Sequence, residues 1–173
     1  MADTGDRQPA VAILLARLTI GRQIRQINFG GTTHMEPRLI FWPAVAMVLL
    51  TIIVTFKMFF ERRGQIRAGG IRWREVATSS LMNARLADTR AADNFRNLFE
   101  VPTLLYLALV VAFVTAQVNA LTLTLAWLFV ASRYVHSAIH CGGNRIRYRL
   151  PAFFFGCIVL WVFWGALAFG LLK

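Results

Sequence analysis

A chain of 173 residues that is 57% hydrophobic, with a formal net charge of +11 and a mean hydropathy of +0.56, lacks the composition of a water-soluble domain. Its cations sit in short connections beside apolar runs, which excludes nucleic acid as the partner and implies membrane lipids with anionic headgroups. Two cysteines, Cys141 and Cys157, make neither a disulfide framework nor a Cys-x-x-Cys pair and read as packed small residues.

Residues 1–34 carry an apolar stretch over 11–20 that Arg17 interrupts and Arg22 and Arg25 follow. That pattern lacks the unbroken core and cleavage site of a secretory signal. It suits an appendage that is disordered or lies as an amphipathic helix on the membrane, ended by Gly30-Gly31. Met35-Glu36-Pro37-Arg38 would itself make an ordinary start, so the membrane domain is placed over 35–173.

The first predicted span covers 39–60. Pro43 stands in its first turn, where a missing N–H costs least, and Lys57 can snorkel to the headgroups at the far end. A basic connection follows, with Arg62, Arg63, Arg67, Arg72, Arg74 and Arg85. Gly64, Gly69 and Gly70 should break it early, and beyond Trp73 it should run as helix into the second span, 95–116. Asp93, Asn97 and Glu100 share a helical face there. Glu100 abuts the apolar body just before Pro102, whose missing N–H frees a backbone carbonyl, and this marks a polar pocket at one membrane face.

Gln117-Val118-Asn119-Ala120 leaves room only for an antiparallel hairpin into the third span, 121–140. Arg133, His136, Ser137 and His140 fall at i, i+3, i+4 and i+7, one stripe that lipid cannot satisfy and that must look into protein or water. About 18 Å of helix separates Leu121 from Arg133, against a hydrocarbon core of about 30 Å, so Arg133 lies about 10 Å short of the interface. It needs an anion, and Glu100 is the best placed. Gly142-Gly143 breaks this helix, and Arg145, Arg147 and Arg149 precede the fourth span, 150–172. Ala152/Gly156 and Ala166/Gly170 are spaced there as in close helix contacts. The expected fold is an all-α integral membrane protein, a four-transmembrane-helix bundle. The positive-inside rule puts connections one-to-two and three-to-four in the cytoplasm. Of 19 cations 17 are arginine, the usage of a GC-rich bacterial genome, for which the membrane would be the inner (plasma) one.

One membrane face thus collects Lys57, Arg67, Arg96, Asn97, Glu100, Arg133, His136, Ser137, His140, Arg145, Arg147 and Arg149. No Ser-His-Asp arrangement and no Gly-rich phosphate loop is present. His136, His140 and Cys141 are a weak metal signal with no carboxylate nearby in sequence, and no metal is expected. The excess of guanidinium points to an anionic ligand, and a cation beside a thiol favours the thiolate.

Arg-x-x-His-Ser at 133–137, Arg149 sixteen residues after Arg133, Arg96-Asn97-x-x-Glu100, and Gly64-Gln65-Ile66-Arg67 after the first span occur here in order. Together they resemble the MAPEG family (membrane-associated proteins in eicosanoid and glutathione metabolism) over about residues 40–172. The resemblance implies a homotrimer that binds glutathione, as co-substrate, between neighbouring subunits near the cytoplasmic face. Arg67, Arg96, Asn97, Glu100 and His136 would hold the tripeptide, beside Arg133, Ser137 and His140 of the polar stripe. Arg149 would be the catalytic cation facing the sulfur, for attack on an apolar small-molecule electrophile or a lipid hydroperoxide. Three positions depart from the family pattern: Phe153 and His140 stand where family enzymes have tyrosine, and Asp93 where they have a base. Some members bind lipid and activate partners without catalysis, so a non-catalytic lipid-binding scaffold is the second reading. A small four-span exporter is the third, although Glu100 lies near a membrane edge rather than at the depth a proton-coupling acid takes.

Overall fold

The computed structural model describes residues 35–172. The appendage expected over 1–34 lies outside them. A 3-10 turn, Pro37–Phe41, leads into helix α1, Trp42–Ala68. This helix passes through Gly64, where a break was expected, and runs on past the predicted end of the first span. Lys57 and Glu61 pair one turn apart at 2.6 Å, and Gln65 is clamped to the backbone of Asp88 by two hydrogen bonds of 2.9 Å. Those contacts outweigh a glycine penalty of about 1 kcal/mol. Gly69-Gly70 ends the helix instead, with Gly70 in the left-handed region at φ 59°, open to glycine without strain.

The connection that follows is folded, with a 3-10 turn Trp73–Val76 and a short helix α2, Ser79–Arg85, capped by the Thr78 hydroxyl. Ile66, Val76 and Leu86 make a small core of their own beneath it, packed against Ile71 and Met82. The chain leaves helical geometry at Leu86, so the expected continuous run into the next span does not form.

Three long helices complete the bundle: α3, Arg90–Val114; α4, Ala120–Cys141; and α5, Ile146–Leu171. The α3–α4 turn puts Ala116 at φ 55° and then caps α4 with a reciprocal pair. Asn119 accepts from the Thr122 amide at 3.1 Å, and the Thr122 hydroxyl accepts from the Asn119 amide at 3.0 Å. α4 packs most extensively on α5, and α3 touches α1, α4 and α5. Met47, Leu50 and Val54 from α1 meet Leu105 and Leu109 of α3, Leu125 and Phe129 of α4, and Leu160, Phe163 and Leu167 of α5. Each set recurs at three- and four-residue spacing, as core stripes must.

The outside is also apolar: Trp42, Val45, Ile52, Ile53, Phe56, Leu104, Leu107, Ile158 and Trp161 are all exposed. A soluble protein could not leave so continuous an apolar surface in water. Helices α1 with its leading turn, α3 and α5 are long and apolar enough to cross a membrane. At 22 residues α4 is about 33 Å long, but Ser132, Arg133, His136, Ser137 and His140 make it too polar by composition alone, and all five are buried in the bundle. No strand occurs among the described residues.

The mouth of the bundle is tied by one polar latch. Arg90 Nε donates to both Asp88 oxygens, at 2.8 and 3.0 Å, and Arg90 Nη1 donates to the carbonyl of Gly142 where α4 ends. The bonded Arg90 guanidinium holds the Asp88 carboxyl at about 2, below its usual range near 3.9. A depressed carboxylate adds stability above its unfolded pKa and loses it as pH falls through the folded one. Asp88→Asn should therefore lower thermal stability in detergent by about 1 kcal/mol near neutral pH, solvent screening included. The gap should close between about pH 4 and pH 2.

Candidate functional site

Where α3, α4 and α5 open next to the latch, a cleft of about 400 Å³ is lined by Asp93, Arg96, Asn97 and Glu100 of α3, His136 and His140 of α4, and Arg149, Leu150 and Phe153 of α5. Spacing explains the set. Asp93, Asn97 and Glu100 are successive turns of one face, as are His136 and His140, and α5 begins close enough to the break at Gly142-Gly143 for its first turn to close the third side.

The imidazoles are held firmly. His136 and His140 are 3% and 4% exposed, and their rings meet edge to face at 5.5 Å. The His136 Nδ1 lies 3.3 Å from the carbonyl oxygen of Arg149. A carbonyl only accepts, so Nδ1 is the donor in this contact, and in the neutral ring Nε2 keeps its lone pair. That Nε2 and the His140 Nδ1 are buried without a partner among the described residues. Arg149 is fixed through Nη1, which donates to Asn144 Oδ1 at 2.6 Å. Asn144 supports it from a left-handed backbone position at φ 47°, which asparagine tolerates. Phe153 closes the wall with its ring 5.6 Å from that of His136 and offers no hydroxyl.

Three expected site residues stand elsewhere. Arg67 is exposed at the end of α1: with Gly64 kept helical, it leaves with the helix rather than folding back. Ser137 lies behind the cleft, where its hydroxyl donates to Asn94 Oδ1 at 3.4 Å, and Asn94 Nδ2 in turn donates to Cys141 Sγ at 3.3 Å. Arg133, 1% exposed, does not pair with Glu100, which is exposed on α3. Its guanidinium lies 4.8 Å from the ring centroids of both Phe129 and Phe153, and Nη2 donates to the Phe153 carbonyl at 3.2 Å. Its Nε and Nη1 have no acceptor among the described residues. The cause is α5, which closes on the arginine at Gly156. A Cβ there would stand 2.7 Å from Arg133 Nη2 and 2.5 Å from Ser132 Oγ.

Asn94 was not singled out from sequence. It is fully buried, and the signal was available, since it falls on the stripe Ala91, Asn94, Leu98, Leu105 that otherwise holds only apolar residues.

Guanidinium groups, carboxylates, an amide and imidazoles surround one small space, which suits a ligand carrying charges of both signs. Among the described residues no three His, Cys, Asp or Glu side chains converge as metal ligands. The family model of the MAPEG family matches residues 40–169. No curated protein and no solved structure matches the chain.

Gly156→Ala should cost about 1–3 kcal/mol by overpacking. In a background carrying both Ser132→Ala and Arg133→Ala those contacts are gone, so the same change should cost less than half as much, a coupling that thermal unfolding of the wild type and the background, each with and without Gly156→Ala, measures.

Proposed function

The chain belongs to the MAPEG family, and from that premise we propose that it is a glutathione-dependent membrane enzyme of the transferase or peroxidase type. Family and apolar helices together make it an integral membrane protein related to glutathione and eicosanoid metabolism. On this reading residues 35–173 are the membrane domain and α4 is its fourth span, with the polar stripe turned inward. Three chains assemble as a homotrimer, and the arginine-rich connections face the cytoplasm, in the inner membrane if the source is bacterial.

The observation that carries the reading is the convergence of Arg96, Asn97, Glu100, His136 and Arg149 on one cleft from three helices. Glutathione presents two carboxylates, an ammonium and two amides. Arg96 grips a carboxylate, Glu100 takes the ammonium, and Asn97 and His136 serve the peptide groups. Arg149, anchored by one nitrogen to Asn144, keeps its others for the sulfur, where a partly desolvated cation stabilises the thiolate for attack on an apolar electrophile or lipid hydroperoxide. Arg67, exposed and away from its own cleft, is free to complete a neighbour's site in the trimer. Arg133 acts from behind, holding the Phe153 wall in place.

One feature favours a second reading, a non-catalytic lipid-binding scaffold: Phe153 brings a bare ring to the position facing the sulfur.

Titration of the detergent-purified protein with glutathione, followed by thiolate absorbance, separates the two. The wild type should form thiolate, and Arg149→Ala should weaken its formation about 100-fold. No binding at about millimolar glutathione, equivalent to about −4 kcal/mol, assigns the chain to the scaffold class.

A further inference from the structure

The folded pad that follows α1 contributes nothing to the cleft, yet its surface carries a concentration of charge. Residues 62–85 hold six arginines against one acid, Glu75. That acid is already engaged: Arg72 Nε donates to it at 2.7 Å, and Arg85 Nη2 lies 3.5 Å from its other oxygen. Arg74 and the two Nη groups of Arg72 have no acceptor among the described residues. Between these two arginines stands Trp73. It is 65% exposed although the pad has Ile66, Val76 and Leu86 as a core of its own. Arg72, Trp73, Arg74 and Glu75 together line one hollow where the chain enters its 3-10 turn.

The position of the pad along α1 says what fills that hollow. The apolar surface of α1 ends with Phe59 and Phe60, both exposed. Ile66, through which the helix packs on the pad, is six residues further, about 9 Å of rise. A headgroup layer extends about 5–8 Å beyond the hydrocarbon on each side. The pad thus rests against that layer, within reach of lipid phosphates. A tryptophan at this level sets its ring at the acyl boundary and its N–H among the headgroups. Soluble polyanions would satisfy the arginines but lack the apolar boundary that an indole between them meets.

We infer that Arg72, Trp73 and Arg74 form a binding site for one anionic phospholipid. The two guanidinium groups take its phosphate, whose oxygens match their paired donors, and the indole lies along the glycerol and the first methylenes. A headgroup with net negative charge is favoured over a zwitterionic one, whose ammonium the remaining arginines repel. The site lies apart from the cleft and does not rest on the glutathione reading.

Native mass spectrometry of the full chain in detergent, titrated with phosphatidylglycerol or with phosphatidylcholine of the same acyl chains, reads the affinity for the first lipid bound. The wild type should prefer phosphatidylglycerol about tenfold. Arg72→Gln combined with Arg74→Gln should weaken that binding about 30-fold. Arg145→Gln combined with Arg147→Gln removes the same charge from the other basic connection and should leave it within about threefold of wild type. All four side chains are exposed, so both variants should keep the wild-type unfolding temperature in lipid-free detergent. Trp73 emission, isolated as the difference between wild type and Trp73→Phe, should be quenched by phosphatidylglycerol brominated near the glycerol end of its chains. Equal affinity for the two lipids, equal loss in the two double variants, or an unquenched Trp73 overturns the proposal. Displacement of the lipid by about millimolar glycerol phosphate also overturns it, by making the pad a site for soluble anions.

Discussion

A guanidinium enclosed in an apolar bundle dictates much of what surrounds it. Arg133 carries its charge 1% exposed inside the bundle, and no carboxylate among the described residues comes to meet it. Its compensation is diffuse: two ring faces, one backbone carbonyl and a soft sulfur. Such an arrangement demands that α5 come close, which only a glycine at 156 permits. The ring that caps the arginine on one side is Phe153, which walls the cleft on the other. Packing inside the bundle and the shape of the site are thereby one problem, solved by the same few side chains.

Much of this was legible in the sequence because it followed from periodicity and from the poverty of polar groups. The stripe Arg133–His136–His140 and the face Asp93–Asn97–Glu100 each had to lie on one side of a helix, and so short a link as 117–120 had to bring the two together at the same end. What escaped reading depended on contacts between distant segments. Nothing local says that Gly64 stays helical; Gln65 reaching Asp88 decides it, 23 residues away. Nothing local says which neighbour satisfies Arg133 either. Charge complementarity favoured Glu100, whereas the structure answered with rings and a close helix approach, options that a count of charges does not see. The small pairs on the last helix were expected to admit a backbone, and Gly156 admits side chains instead.

The cleft differs from an anion trap, although the chain as a whole is strongly basic. Two acids and two imidazoles face its arginines, so its field changes sign over a few ångströms. Ligands with a single negative charge gain less from such a surface than a zwitterionic peptide does. The apolar wall of Leu150 and Phe153 is set apart from that mixed-charge surface, because it is built from the other side of the cleft.

The α3–α4 pair is a pair of tongs. At its pivot the chain is rigid, with Ala116 twisted into a left-handed bend and Asn119 and Thr122 interlocked. The jaws lie about 30 Å away by helical rise and enclose the cleft between them. Across their tips runs a hasp, the Arg90 contact to the Gly142 carbonyl just past α4, with Asn94 bonded to Ser137 and Cys141 behind it. Because Arg90 is also pinned to Asp88, and Asp88 to Gln65, loosening the jaws pulls on the folded pad that follows α1. One continuous run of hydrogen bonds thereby joins that pad to the end of α4 beside the site.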